Sequence, residues 1–303
     1  MTARELINLA RDRFDDEAEP YRWSDNTLLA HLNEAEREAC RRAHLIIDKN
    51  TAAYCRILVK PGDPNVSLNS KVLVVRACYL GAYVRGELSW DAASHSLLDT
   101  SNSFVTAGFE EGDRFLVTGF TGTTNNGLFT ASSVAAGAIV VDETTMTDEE
   151  AETAVVEVQR KELFKKSRFS LDDEHPGWNT YEGEPVFFMQ EADGSIRLVG
   201  IPVDPTTLHL VVSRLPAADM TLTPTITSPE IPTQYHVGLI DWMEHLAYLK
   251  DDADSGTPAD MRRSQNAEAR FTEKFGTRPS ARYEQFKKQY PRELRVRPRT
   301  FGS

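Results

Sequence analysis

The stretch from Thr227 to Asp254, TSPEIPTQYHVGLIDWMEHLAYLKDDAD, leaves this chain the least freedom, because a start signal, an apolar period and a stop signal coincide in it. Pro229, Ile231 and Pro232 set an extended entry, since a residue before proline is pushed out of the α region and a proline is tolerated in a first helical turn. Apolar residues then recur at Tyr235, Leu239, Trp242, Leu246 and Leu249, the spacing of one helix face. A second row at Ile240, Met243 and Ala247 widens the stripe beyond that of a surface helix, which predicts a helix lying between neighbours. Asp241, Glu244 and His245 are expected on its outer side. Asp251, Asp252 and Asp254 are unfavourable beside the negative end of a helix and, with Ser255 and Gly256, mark the stop.

Other helices lie at the two ends of the chain. Thr2 with Glu5 reads as a capping box, and Leu6, Leu9, Ala10 and Phe14 form one face of a first helix. A second helix starts at Ser24, with Trp23 and Leu28 as a hydrophobic staple and Leu28, Leu32, Ala35, Ala39, Ala43 and Ile46 as its apolar stripe. The small alanines let another helix approach closely, and the Trp242 helix is the expected partner. After Gly256, Thr257 and Pro258 open a helix with Met261, Ala267, Phe271 and Phe275 on its apolar side, ended by Gly276. A shorter helix is expected at about 280–289, before Pro291 and Pro298 forbid continuation.

Between these ends the apolar period changes to two. CRILVKP, SKVLVVRACYL and LHLVVSRL read as strands, and PVFFMQEADGSIRLVGI, with Asp193-Gly194 between alternating runs, reads as a hairpin. Residues 101–157 interrupt the plan with short strands around Phe115, Phe129 and Ile139, separated by glycine turns that include Asn126-Gly127. They read as a small self-contained barrel or sandwich, strongly acidic, with ten carboxylates against Arg114. The fold class expected is therefore α+β: a helical-bundle frame with a small antiparallel β-sheet, an inserted all-β module and an extended C-terminal tail. The expected parts are 1–100 (helices and first strands), 101–157 (module), 158–290 (hairpin and C-terminal helices) and 291–303 (tail).

Charge and composition exclude several functions. No window approaches eighteen uninterrupted apolar residues and the start, MTARELINLARDRF, lacks a secretory apolar core, so no membrane association is expected and the chain is expected to be made in a cytosol. Cys40, Cys55 and Cys78 have no metal-ligand spacing and read as small buried residues. The net charge is −12, yet eight basic residues from Gly276 to Ser303 stand against only Glu284 and Glu293, leaving −18 on the rest. An acidic body repels a polyanion, and a basic tail reads as an interaction arm.

The sequence carries no signature of catalysis. There is no Walker loop, dinucleotide-binding glycine motif, nucleophile elbow or H-E-x-x-H. Asp251, Asp252 and Asp254 offer hard oxygens for a divalent cation but lack the glycine and glutamate of a calcium loop, and read as a solvated helix end. Asp241 with His245 reads as a surface pair four residues apart rather than a catalytic dyad. No catalytic residue, metal site or cofactor is implied.

The order P-E-I-P, then Y-H, an apolar helix ending in alanine and tyrosine, then K-D-D-x-D resembles the closing helix of tailed-phage head-to-tail adaptor (connector) proteins, and the amino terminus fits the same family. Simpler adaptors pass from a segment like YVRGELSW directly to one like RKELFKKSRFSLDDEHPGW; here the module is spliced between them. Its own pattern, AGF-x-x-GD-x-x-x-VTGF followed by NNG-x-F, resembles a small β module that recurs in phage virion proteins. The resemblance implies a structural virion protein of the neck: a dodecameric ring of copies beneath the portal protein, offering tail (nozzle or tube) proteins an attachment surface. It implies that DNA passes through without specific binding, past an acidic wall. It also implies portal docking by the tail, which carries Arg292, Arg295, Arg297, Arg299 and Phe301. The alternative is a tail or baseplate protein whose β module binds host or capsid surface.

Overall fold

The computed structural model describes residues 1–192, 194–251, 258–280 and 282. In chain order its elements are α1 (Ala3–Phe14), α2 (Asp25–Ala43), β1 (Ile46–Asp48), α3 (Ala52–Cys55), β2 (Arg56–Val59), β3 (Asn65–Ser67), β4 (Val72–Asp91), β5 (Ser96–Asp99), α4 (Phe104–Ala107) and β6 (Arg114–Thr118). There follow β7 (Gly127–Ala135), β8 (Ala138–Val141), β9 (Glu149–Lys165), α5 (Arg168–Glu174), β10 (Phe187–Ala192), β11 (Ser195–Val199), β12 (Thr206–Arg214), α6 (Leu239–Asp251) and α7 (Pro258–Phe275). They divide into a helical unit, Met1–Asp48 with Ser70–Val74 and the described residues of 213–280, and a β unit, Lys49–Asn69 with Val75–Val212.

In the helical unit the local signals act as predicted. Glu5 N–H donates to Thr2 Oγ1 while Thr2 N–H donates to Glu5, completing the capping box of α1, and Ser24 caps α2 through the N–H of Thr27. Ala35 and Ala39 are fully buried, and α6 packs against α2 where these short side chains let the backbones approach. Phe14, Trp23 and Tyr248 form an edge-to-face trio with centroids 5.3–6.2 Å apart, each contact contributing about 0.5–1.5 kcal/mol beyond the area buried. A short 3-10 turn, Thr233–Gly238, carries the extended P-E-I-P entry into α6, and α7 closes at Gly276, whose positive φ of 86° ends the helix.

The β unit overturns the expected fold class. Rather than a helical-bundle frame with a modest sheet, the chain is β-rich. Six strands, β4, β5, β8, β7, β6 and β9, pair antiparallel in that order, and β9 pairs back onto β4 to close a barrel. The registers that define it include Trp90↔Leu97, Leu97↔Ile139, Phe115↔Phe129 and Val84↔Val156. Its interior is filled with side chains: Leu88, Leu97, Phe104, Phe115, Val117, Ile139 and Val156 are all buried, and the Trp90 and Phe129 rings lie 4.9 Å apart. Two of the six strands, β4 and β5, precede residue 101. The seam is made by two long strands, β4 of 20 residues, of which the expected strand SKVLVVRACYL covers only the first part, and β9 of 17, which crosses the expected module boundary at 157. Outside the barrel β9 continues to pair in parallel with β10, β10 and β11 form the predicted hairpin, and β2 pairs with β12.

Cys40, Cys55 and Cys78 are free and buried, and burial pushes the Cys40 and Cys78 thiols up to about 12. No described helix is long and apolar enough to cross a membrane.

Candidate functional site

Arg292, Arg295, Arg297, Arg299 and Phe301, the residues expected to dock on a partner, lie outside the described residues, as do the expected tail 291–303, nearly all of the helix at 280–289, and Asp252 and Asp254. What the structure describes is the anchorage of the chain leading to them. On α7, Ala267, Phe271 and Phe275 are buried, with the Phe271 ring 4.9 Å from that of Trp242. The guanidinium of Arg42 sits over both rings, donates to Thr272 Oγ1 at 3.0 Å and to the Gly276 carbonyl at 3.2 Å, and is held from the other side by Glu38 at 2.8 Å. Arg278 reaches the same carboxylate at 3.7 Å. The exit from α7 is thus fixed to α2 by an aromatic stack and a shared carboxylate.

The second anchor corrects a sequence expectation. Asp241 and Glu244 do not face outward; Asp241 is fully buried and Glu244 nearly so. Asp241 takes Arg13 at 2.5 Å, Lys274 at 2.6 Å and Arg270 at 3.0 Å, and Glu244 takes Arg270 at 2.7 Å and Arg263 at 2.9 Å. Two carboxylates of α6 therefore bind one cation of α1 and three of α7. Burial works to raise the Asp241 pKa, but hydrogen bonds from Lys274 and Arg270 and the charge of Arg13 outweigh it and hold the carboxyl below its ordinary value. A signal for this was present: Arg263, Arg270 and Lys274 recur at seven and four residues, on one face of α7. Asp241 and His245 are not brought together, since His245 instead meets Ser264, whose hydroxyl donates to the His245 carbonyl at 3.0 Å. Leu249, expected in the apolar stripe, is half exposed.

This geometry predicts an asymmetric response to substitution. Asp241→Ala removes a fully buried acceptor shared by three cations, and should cost about 2 kcal/mol, less than the 3–5 kcal/mol of a wholly buried pair because the cations can turn to water. Lys274→Ala leaves Asp241 with Arg13 and Arg270 and, since Lys274 is 47% exposed, should cost under about 1 kcal/mol. Urea melts of the two variants measure the difference; equal losses would show that the cluster does not act as a unit.

The P-E-I-P residues form a third fixed point. Arg214 donates to Asp48 at 2.7 Å and pairs with Glu230, while the N–H groups of Glu230 and Ile231 donate to buried Glu36 at 2.5 and 3.2 Å. Burial raises the Glu36 pKa against the pull of these two N–H groups. His236 Nε2 then donates to the Ile231 carbonyl at 2.9 Å. The motif that carries the resemblance is therefore a clasp between the entry to α6 and α2.

The β unit has a pocket of about 370 Å³ lined by Arg56, Leu58, Tyr83, Arg85, Ser103 and Thr207 among others. Several of its polar groups are engaged within the fold: Arg56 pairs with Glu157 at 2.6 Å, Ser101 and Ser103 donate to Asp99, and Thr207 donates to the Ala107 carbonyl. Among the described residues no group of three or more His, Cys, Asp or Glu side chains is placed to hold a metal ion.

No curated protein matches the chain. A family model described as SU10 adaptor protein matches residues 1–118 and 144–297. The matched residues include all of α1, α2, α6 and α7, with every clasp described above, and both seam strands of the barrel. The interruption at 119–143 contains β7 and β8. With most of its length matched, this chain belongs to the SU10 adaptor protein family and is a structural component of a bacteriophage virion.

Proposed function

We propose that the protein is a head-to-tail adaptor whose copies form a dodecameric ring that docks on the portal, lines the DNA passage and presents the attachment surface for tail proteins. The observation that carries this reading is the family match across both anchored helices and the barrel seam. The clasps around α7 support it, because an interaction arm transmits force to the body only if its root is fixed, and Arg42, Glu38 and the Asp241–Glu244 pair fix that root. The acidic body suits a passage that DNA must slide through without sticking.

In this reading Arg292, Arg295, Arg297, Arg299 and Phe301 are the docking residues. Thirteen residues from Pro291 to Ser303 span up to about 43–47 Å when extended, far enough to reach a neighbouring protein. Each arginine that closes a bidentate pair with a portal carboxylate contributes about 1.5–3 kcal/mol. Deleting 291–303 is expected to leave the melting curve unchanged and to abolish binding to portal-bearing heads, measured by co-sedimentation. Unchanged binding by the truncated chain would move the docking surface to the helices.

A further inference from the structure

We infer that the pocket of the β unit receives carboxylates of the 142–150 loop of a second copy of this chain, through Tyr83 and Arg85. Of the polar side chains that line this cavity of about 370 Å³, all but two are spent within the fold. Arg56 donates to Glu157 at 2.6 Å and to the Lys49 carbonyl at 2.9 Å, the Ser101 and Ser103 hydroxyls donate to Asp99, Thr106 donates to the Ser103 carbonyl and Thr207 to that of Ala107. The two left are Tyr83, whose hydroxyl has no hydrogen-bond partner among the described residues, and Arg85, which is exposed and pairs with no carboxylate among them. They stand two apart on the outer face of β4, about 7 Å along the strand, since Ala82 and Val84 point into the barrel core. Half-exposed Leu58 forms the apolar rim. Burial raises the Tyr83 pKa against the charges of Arg85 and Arg56, so its hydroxyl stays a donor. A site whose free groups are a guanidinium fork and a hydroxyl proton is complementary to a carboxylate, which takes the fork through both oxygens.

The chain itself holds the matching carboxylates, in a place where it has no cation for them. From Phe115 to Gln159 the sequence contains no lysine, arginine or histidine. Asp142, Glu143, Asp148, Glu149 and Glu150 follow β8 and lead into β9, and among the described residues none of the five forms an ion pair. Glu143, Asp148 and Glu149 accept only from neutral groups, among them the N–H groups of Thr130, Ala92 and Gly122, while Asp142 and Glu150 are exposed. Arg85 of the same chain cannot supply the charge. Glu149 is paired with Trp90, five residues further along β4, which puts about 17 Å of strand between it and Arg85. Glu87 and Glu157, which share the face of Arg85, are taken by Thr153 and Arg56. A second copy satisfies both ends, its loop bringing the carboxylates and the pocket the cation. Nucleic acid is the poorer match for the same donors, since a chain of net charge −12 repels a polyanion. Because pocket and loop are different surfaces, the contact is heterologous: it joins copies head to tail and closes into a ring where the rotation allows. Its place between neighbours in an adaptor ring rests on the function proposed above, but the contact itself needs no portal, so it is measured separately from the effect of tail deletion.

Sedimentation equilibrium of the full chain tests it. The weight-average mass should rise past twice the monomer value between about 10 µM and 1 mM, the range of a small, transient contact. Arg85→Ala should associate at least about tenfold more weakly, the loss of a charge-assisted pair. The Asp142→Asn, Asp148→Asn, Glu150→Gln triple variant, isosteric but uncharged, should lose as much, and both variants should keep the wild-type melting curve. Mixed one to one, at a concentration where each alone is monomeric, the two share one intact pocket and one intact loop per pair. Their mass should therefore reach twice the monomer value and stop there. A wild-type chain that stays monomeric at the upper concentration, whether or not it binds a DNA duplex through Arg85, would overturn the inference. So would association unaffected by Arg85→Ala, or a mixture that stays monomeric or grows beyond pairs.

Discussion

Gly81→Ala is expected to destabilise the β unit by about 3 kcal/mol, while Gly86→Ala, five residues further along the same strand, is expected to change stability by less than about 0.5 kcal/mol. A Cβ on Gly81 would lie 1.9 Å from the Val158 carbonyl oxygen and 2.9 Å from His209 Nε2, whereas a Cβ on Gly86 meets nothing within 4 Å. Neither glycine has a positive φ, so the difference is one of space alone. The obstruction at Gly81 is a backbone oxygen in the paired seam strand, where Gly81 sits opposite Gln159 just after a register shift, and a backbone cannot rotate aside as a side chain can. Relief requires β4 and β9 to separate by more than 1 Å at the place where they close the barrel. Overpacking that forces backbone movement costs about 1–3 kcal/mol, and a clash with backbone this close belongs at the upper end, a large share of the 5–15 kcal/mol that holds a domain together. Near-ultraviolet circular dichroism on heating, with Trp90 inside the barrel as reporter, would show the loss; a Gly81→Ala chain that melts like the wild type would mean that the close approach at the seam is absent.

Acid should weaken the same unit well above the range in which carboxylates titrate, through His209. This side chain is 1% exposed, its Nε2 donates to the Ala82 carbonyl at 3.1 Å, and its Nδ1 has no hydrogen-bond partner among the described residues. A second proton would therefore sit on an unpartnered nitrogen in a low-dielectric site beside Arg56. Burial first and Arg56 second lower its pKa from 6.5 to about 4, outweighing the opposing pull of Glu157 and of the Ala82 carbonyl. The folded state thus binds the proton less readily than the unfolded chain. Its contribution to stability is complete above pH 6.5, declines as the pH falls, and is lost by about pH 4, a change of about 3 kcal/mol at 1.4 kcal/mol per pH unit. Urea melts at pH 7, 5.5 and 4.5 should show this slope, and His209→Gln, which keeps a donor for the Ala82 carbonyl, should flatten it. An equal slope in the variant would assign the acid sensitivity to other groups.

Both effects concentrate on one place, where β4, β9 and β12 approach closely, and no local pattern in the chain marks it. Gly81 and Gly86 look alike as breakers inside an apolar run. Only the pairing of residue 81 with residues near 158, and of His209 with the Ala82 carbonyl, distinguishes them. For the same reason the expected strand ends at Leu80 although β4 runs on to Asp91: glycine within a barrel strand marks close backbone approach as readily as it marks a turn.

By itself the sequence determined the elements whose causes are local. The capping box at Thr2, the Ser24 cap, the α6 and α7 spans, the Gly276 stop and the β10–β11 hairpin each depend on residues within a turn or two of one another, so composition and spacing suffice to fix them. The P-E-I-P and Y-H pattern was sufficient to suggest the family, because those residues form a clasp whose chemistry admits few alternatives. What depended on contacts between segments far apart in sequence was decided only by the tertiary structure. The helical-bundle expectation failed because barrel closure rests on β4–β9 pairing between segments some 70 residues apart in sequence, and periodicity carries no information about which strands meet. Asp241 and Glu244 were placed outside because charged residues on a helix normally face water; they lie inside because Arg13, 228 residues away in sequence, and a row of cations on α7 converge on them, and a carboxylate can leave water where such partners replace its solvation.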